Sequence, residues 1–231
     1  MSELLQNNSA RFRGPNTGLV AIAFVVLFFA SLMPVTALGG TPYFPRPTDS
    51  VNEMVAFFSQ RQAGVLLCAF LQFGSAVPLG IFTVSMVARL KFLGVRAVGA
   101  DIALFGGLVA TMSVIICSCF LWAMTYPGIS QDASLVNALY RVSFGIGGPA
   151  YSVPFGLLAA GISITSAFYK LLPKWVVILG LLIAIAGELS WFVILNIKLV
   201  PLIPLTRFPG FVWMIAAGFA LPKNPRTKVT A

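Results

Sequence analysis

Six long apolar stretches, nearly free of charge, fill most of the chain, and short polar segments separate them. They fall at Thr17–Leu38, Gln62–Val87, Ile102–Tyr126, Ser143–Phe168, Trp175–Ile197 and Leu202–Leu221. About 20 mostly apolar residues in a helix cross the hydrocarbon core of a bilayer. None of the stretches alternates apolar and polar positions as barrel strands do, and an open sheet edge cannot face lipid. The pattern therefore predicts an all-α polytopic membrane bundle of six transmembrane helices, one domain over residues 1–231.

Composition agrees with lipid as the solvent: 58% of residues are apolar and 9% are charged. The first stretch follows Arg11 and Arg13 and ends in Val35-Thr36-Ala37, which resembles a signal-peptidase site. A signal's apolar region runs for about 7–15 residues, and Gly18–Met33 is already longer, so an uncleaved anchor is expected.

The net charge of +9 suggests nucleic acid until its distribution is read. Arg11, Arg13, Arg89, Lys91, Arg96, Lys170, Lys174, Lys223, Arg226 and Lys228 fall on one side of the predicted spans. Arg46, Arg61, Arg141, Lys198 and Arg207 fall on the other, together with Asp49, Glu53 and Asp132. That asymmetry is the positive-inside bias, which places both termini in the cytoplasm and the chain in the plasma (cell inner) membrane. Lipid is the expected partner and nucleic acid is not.

The two longest connections, Gly39–Arg61 and Pro127–Val142, lie on the outer side. The first opens with a proline-rich run and then reads as a capped helical turn on the membrane surface, with Asp49 or Ser50 as cap. Ser75–Gly80 resembles Tyr151–Gly156, and Leu104–Ala110 is echoed by Ile178–Ala184. Two matched hairpins would form a parallel repeat of the kind some transporters use, although apolar helices share composition anyway. Pro78, Pro149 and Pro154, with Gly145, Gly147 and Gly148, interrupt spans two and four; such breaks either line a site or bend a helix for packing.

Much chemistry is excluded. The chain has no histidine and three cysteines, Cys68, Cys117 and Cys119, so histidine-held metal, bis-histidine haem, iron–sulfur clusters and histidine acid/base catalysis are not expected. Cys117 and Cys119 point in different directions on a helix, and all three read as small buried apolar residues. No phosphate-binding glycine loop occurs, so no cofactor is expected and an enzyme is the least favoured class.

Glu188 is the one acid well inside a span. It sits 13 residues above Trp175, or ~20 Å into a core about 30 Å thick, and Arg207 reaches a matching depth on span six. An ionisable group there costs about 2.5–3.5 kcal/mol without a partner, which motivates a Glu188–Arg207 pair. The pair is either a proton- or ligand-linked site or a structural tie between spans five and six. Arg61 and Arg141 sit near the outer ends of spans, where they form an outer basic ring with Arg207 or simply snorkel. Gln72, Ser75, Ser113, Ser190 and Asn196 are expected to bond between helices, and Trp122, Tyr126, Trp175 and Trp213 to serve as interface belts or packing.

The ending Arg207-Phe208-Pro209-Gly210-Phe211-Val212-Trp213-Met214-Ile215-Ala216-Ala217-Gly218-Phe219, together with the six spans, resembles small bacterial membrane proteins of a domain-of-unknown-function family. The resemblance implies no activity. The expectation for function is a non-enzymatic bundle that binds or passes a small solute or ion, with an accessory or structural subunit of a larger membrane complex as the alternative.

Overall fold

Each apolar stretch becomes a helix, and the helices close into a ring in chain order. The computed structural model describes residues 12–224, so Arg11, Arg226, Lys228 and the C-terminal Ala231 lie outside the described residues. Helix α1 spans Thr17–Leu32, α2 Val51–Gln60, α3 Gln62–Phe92, α4 Gly99–Ala123 and α5 Pro127–Ser130. They are followed by α6 over Ala133–Gly147, α7 over Pro149–Phe168, α8 over Lys174–Leu189 and α9 over Leu202–Ala220. Six segments are long and apolar enough to cross a membrane: Thr17–Val35, Gln62–Phe92, Gly99–Ala123, Ala133–Phe168, Lys174–Ile194 and Ile197–Ala220. The protein is a multi-pass membrane protein whose outer surface meets lipid.

Around the ring α1 packs on α3, α3 on α4, α4 on α7, α7 on α8, α8 on α9, and α9 back on α1. In α4 the exposed positions Phe105, Leu108, Met112, Ile116, Cys119 and Trp122 form one helical stripe toward lipid. The opposite stripe, including Gly106, Gly107, Ala110 and Val114, is buried. Small residues let backbones approach: Gly106 faces the Pro154 carbonyl, and Gly161 faces Gly99 and Ala103.

The two ends differ. At the basic end, where Lys91, Arg96, Lys170, Lys174 and Lys223 gather, the first and last described segments meet. Phe12 N–H donates to the Lys223 carbonyl at 2.9 Å, and Thr17 Oγ1 donates to Gly218 O at 2.7 Å. Between that end and mid-depth a continuous core includes Phe24, Phe82, Met86, Phe155, Trp213 and Met214. The other end is roofed by α2 and the preceding loop, and is called the lid end. Its separate core joins Met54, Phe57 and Phe58 of α2 to Val65, Leu121, Val136 and Tyr140. Ser50 begins α2 with a capping box: its hydroxyl accepts from Glu53 N–H, while its own N–H donates to the Glu53 carboxylate.

Three expectations need correction. The fourth span begins earlier than Ser143: α6 starts at Ala133, inside the connection Pro127–Val142, because Asp132 caps it by accepting from Ser134 and Leu135 N–H at 2.8 and 3.0 Å. Arg89 does not lie between spans two and three: α3 runs on to Phe92, and Arg89 is 2% exposed inside it. Of the predicted interhelical polar groups, Ser113 bonds across helices, whereas Ser75, Gln72 and Ser190 bond within their own helices and Asn196 caps a short turn. A serine hydroxyl in an apolar helix reaches its own preceding turn without any neighbour in register, and that local bond wins.

Candidate functional site: a cavity around Arg207

The fourth span is broken where its sequence is richest in glycine and proline. Gly148, between α6 and α7, has φ −92° and ψ −102°, and Pro149 brings no N–H to bond back into α6. Past the break Tyr151 N–H turns to Gly148 O at 3.2 Å, so the Gly147 carbonyl is left without its helical donor. Arg207 Nη2 fills that place by donating to Gly147 O. The second interruption is mended differently: Pro154 frees the Ala150 carbonyl, and Ser113 Oγ of α4 donates to it at 2.7 Å.

A cavity of about 290 Å³ adjoins the break in the lid half of the bundle. Its deep end is formed by Phe28 of α1, Gln72 of α3, Val114 of α4, Gly147 and Gly148, with Arg207 as the floor. Toward the lid the wall is Leu32, Val35, Thr36, Leu121, Ser143 and Phe144, and Phe44 and Tyr140 also line it. Tyr140 OH donates to Pro45 O at 2.7 Å and so pins the roof loop. Cys68 and Cys117 both line this space, and the Cys117 thiol lies 3.3 Å from Ser143 Oγ. Cys119 is exposed on the lipid face instead, so one of the three thiols departs from the expectation of burial.

Arg207 is held by aromatic faces more than by hydrogen bonds. Its guanidinium carbon sits 4.7 Å from the Tyr151 ring centre and 5.2 Å from that of Phe28. Its Nε is buried with no hydrogen-bond partner, as is the neighbouring Tyr151 hydroxyl. Among the described residues no carboxylate lines the cavity. A guanidinium offers five N–H donors, so Arg207 keeps donor capacity at the floor of an apolar chamber.

The predicted pairing with Glu188 does not form. Among the described residues the one ion pair within 4.0 Å is Lys91–Asp101 at 2.6 Å, on the surface at the basic end. Glu188 is exposed on the outward stripe of α8 beside Ile185 and Leu189, next to Gly156 of α7, while Arg207 faces inward. Matched depth along two helices says nothing about matched direction around them. Arg61 and Arg141 are not brought to Arg207 either. Arg61 Nη2 donates to Pro34 O at 2.8 Å and borders a groove with Gly39 and Gly64. Arg141 is exposed, bonds Asn137 Oδ1 at 2.9 Å, and borders another groove with Pro47 and Ile197.

Arg89 was missed as a structural group. Its Nε donates to Pro222 O at 2.9 Å, its Nη1 to Thr17 Oγ1 at 3.0 Å and Gly218 O at 3.3 Å, and its Nη2 to Leu221 O. The one available signal was its place at the end of an unbroken apolar run, before the glycine that ends the helix. Among the described residues no group of three or more His, Cys, Asp or Glu is placed to hold a metal. Comparison with known proteins finds no matching family model, no similar curated protein and no similar solved structure.

Proposed function

We propose that the protein is a non-enzymatic bundle of the cell inner membrane, both termini cytoplasmic, that binds or passes a small solute through the chamber over Arg207. The observation that carries this reading is an apolar cavity of about 290 Å³ floored by a cation with unused donors. Ligand sites are concave and mostly apolar with a few placed polar groups, and this volume lies at the small end of their range. Broken helices with freed carbonyls recur at solute sites in transporters, and the break at Gly148 fits that use. Likeness to the small six-span bacterial proteins belongs to the same proposal and adds no activity.

Two native thiols make the reading testable. In a Cys119→Ser background, the small neutral reagent methyl methanethiosulfonate should modify Cys68 or Cys117 in the folded protein. Leu121→Trp, which fills the chamber from its wall, should suppress that modification. Thiols that react only on unfolding would defeat the reading. Orientation is tested separately: a reporter active only in the cytoplasm should work after Ala231 and fail when inserted within 39–59.

The accessory-subunit alternative has one observation in its favour, the carboxyl of Glu188 on the lipid-facing stripe of α8. A membrane partner offering a donor at that depth would remove its cost. Glu188→Gln should then release a protein that otherwise stays bound through gentle detergent extraction.

A further inference from the structure

We infer that the ligand of the Arg207 chamber is a small amphiphilic monocarboxylate, bound head-down on the guanidinium with its apolar body directed toward the lid. This rests on the proposed solute-binding reading and narrows it to a chemical class. Charge sets the head group. Arg207 has one acceptor, the Gly147 carbonyl, and a buried Nε with none, and no carboxylate lines the chamber. A half-buried cation among apolar side chains without a counter-ion is a costly state, and an arriving anion relieves it. A carboxylate matches the planar fork of a guanidinium with two parallel N–H···O bonds.

The walls set the rest of the molecule. Above the floor the chamber is bordered mostly by apolar side chains, Leu32, Val35, Leu121 and Phe144, with the neutral hydroxyls of Thr36 and Ser143 among them, so it offers contact to an apolar body and no cation to a second charge. A phosphate dianion would bring more charge than one arginine neutralises. A bare halide would leave the apolar wall unused. The guanidinium carbon lies over the Tyr151 and Phe28 rings, and its one hydrogen bond goes to Gly147 O, which leaves its remaining donors to a ligand.

Benzoate is the probe, and benzamide is its neutral counterpart of nearly the same shape. With the Cys119→Ser protein in nanodiscs, benzoate should protect Cys117 from methyl methanethiosulfonate and raise the unfolding temperature, both saturably. Benzamide should require roughly 10- to 100-fold higher concentration, the worth of one charge-assisted hydrogen bond or two. Arg207→Gln should bring benzoate down to the level of benzamide. If Arg207→Gln fails to fold, Leu121→Trp is the second variant and should abolish the rise in unfolding temperature with benzoate while Arg207 is intact. Succinate should not protect, because its second carboxylate would face an apolar wall. Equal action of benzoate and benzamide overturns the carboxylate assignment, and so does full protection by chloride alone or by succinate. If Cys68 and Cys117 resist the reagent with no ligand added, the chamber reading itself falls, and the two failures are told apart.

Discussion

Two arginines inside one bundle, one buried and one half-buried, show how differently a membrane protein treats a cation. Arg89 at the basic end is surrounded by acceptors: three carbonyls of the α9 end and the Thr17 hydroxyl take up its donors. The Gly218 carbonyl is one of the unpaired acceptors that a helix leaves in its last turn, Leu221 and Pro222 follow directly, and the helix dipole there also favours a cation. Arg207 at the lid end has one carbonyl, two aromatic faces and an unpaired Nε. The fold takes up four of the first arginine's donors, close to saturation, and one of the second's, which is left with capacity to spare. Saturation marks a group that holds structure, and spare capacity marks a group that holds something else.

The comparison breaks most visibly at Arg89. Arg89→Ala should destabilise the bundle by about 3–4 kcal/mol, since it strips several buried acceptors of their donor at once. Reversible unfolding in bicelles measures this, and a loss below about 1 kcal/mol would remove Arg89 from its structural role. Gly218→Val comes next. A side chain there meets the Gly18 backbone and pushes α9 from α1, at a cost of about 1–3 kcal/mol in the same assay. Arg207→Met should change stability by less than about 1 kcal/mol, or raise it, because removing an under-satisfied charge offsets the lost ring contacts. A loss as large as that of Arg89→Ala would erase the distinction between the two ends. Smallest of all is Gly74→Ala, where an added methyl meets nothing within 4 Å. Helix propensity alone then applies, and a gain of up to about 1 kcal/mol is expected.

Class and span number were legible because hydrophobic length along one chain decides them. The lid helix was legible for a local reason as well: Ser50 and Glu53 carry a complete capping signal three residues apart. Direction around a helix axis was not legible. Glu188 and Arg207 share a depth, yet one faces outward and the other inward, and only the packing of α7, α8 and α9 decides that. The break in span four could be read from its glycines and proline, whereas its consequence, a free Gly147 carbonyl meeting an arginine 60 residues later, depends on closure of the ring. Arg89 was hidden by a sound rule, since basic residues at span ends usually do mark topology.

The clamp at Arg89 also has a history in time. Its acceptors on α9 and just beyond lie 129 to 133 residues further along the chain. At ordinary rates of synthesis they emerge about 7–27 s after the arginine does. Throughout that interval the guanidinium has the Thr17 hydroxyl but none of its carbonyl partners, and its long stem must keep it among headgroups at the bilayer surface. The ring is therefore sealed last by the helix made last, and a nascent chain stalled before α9 carries an unburied cation that membrane quality control could recognise.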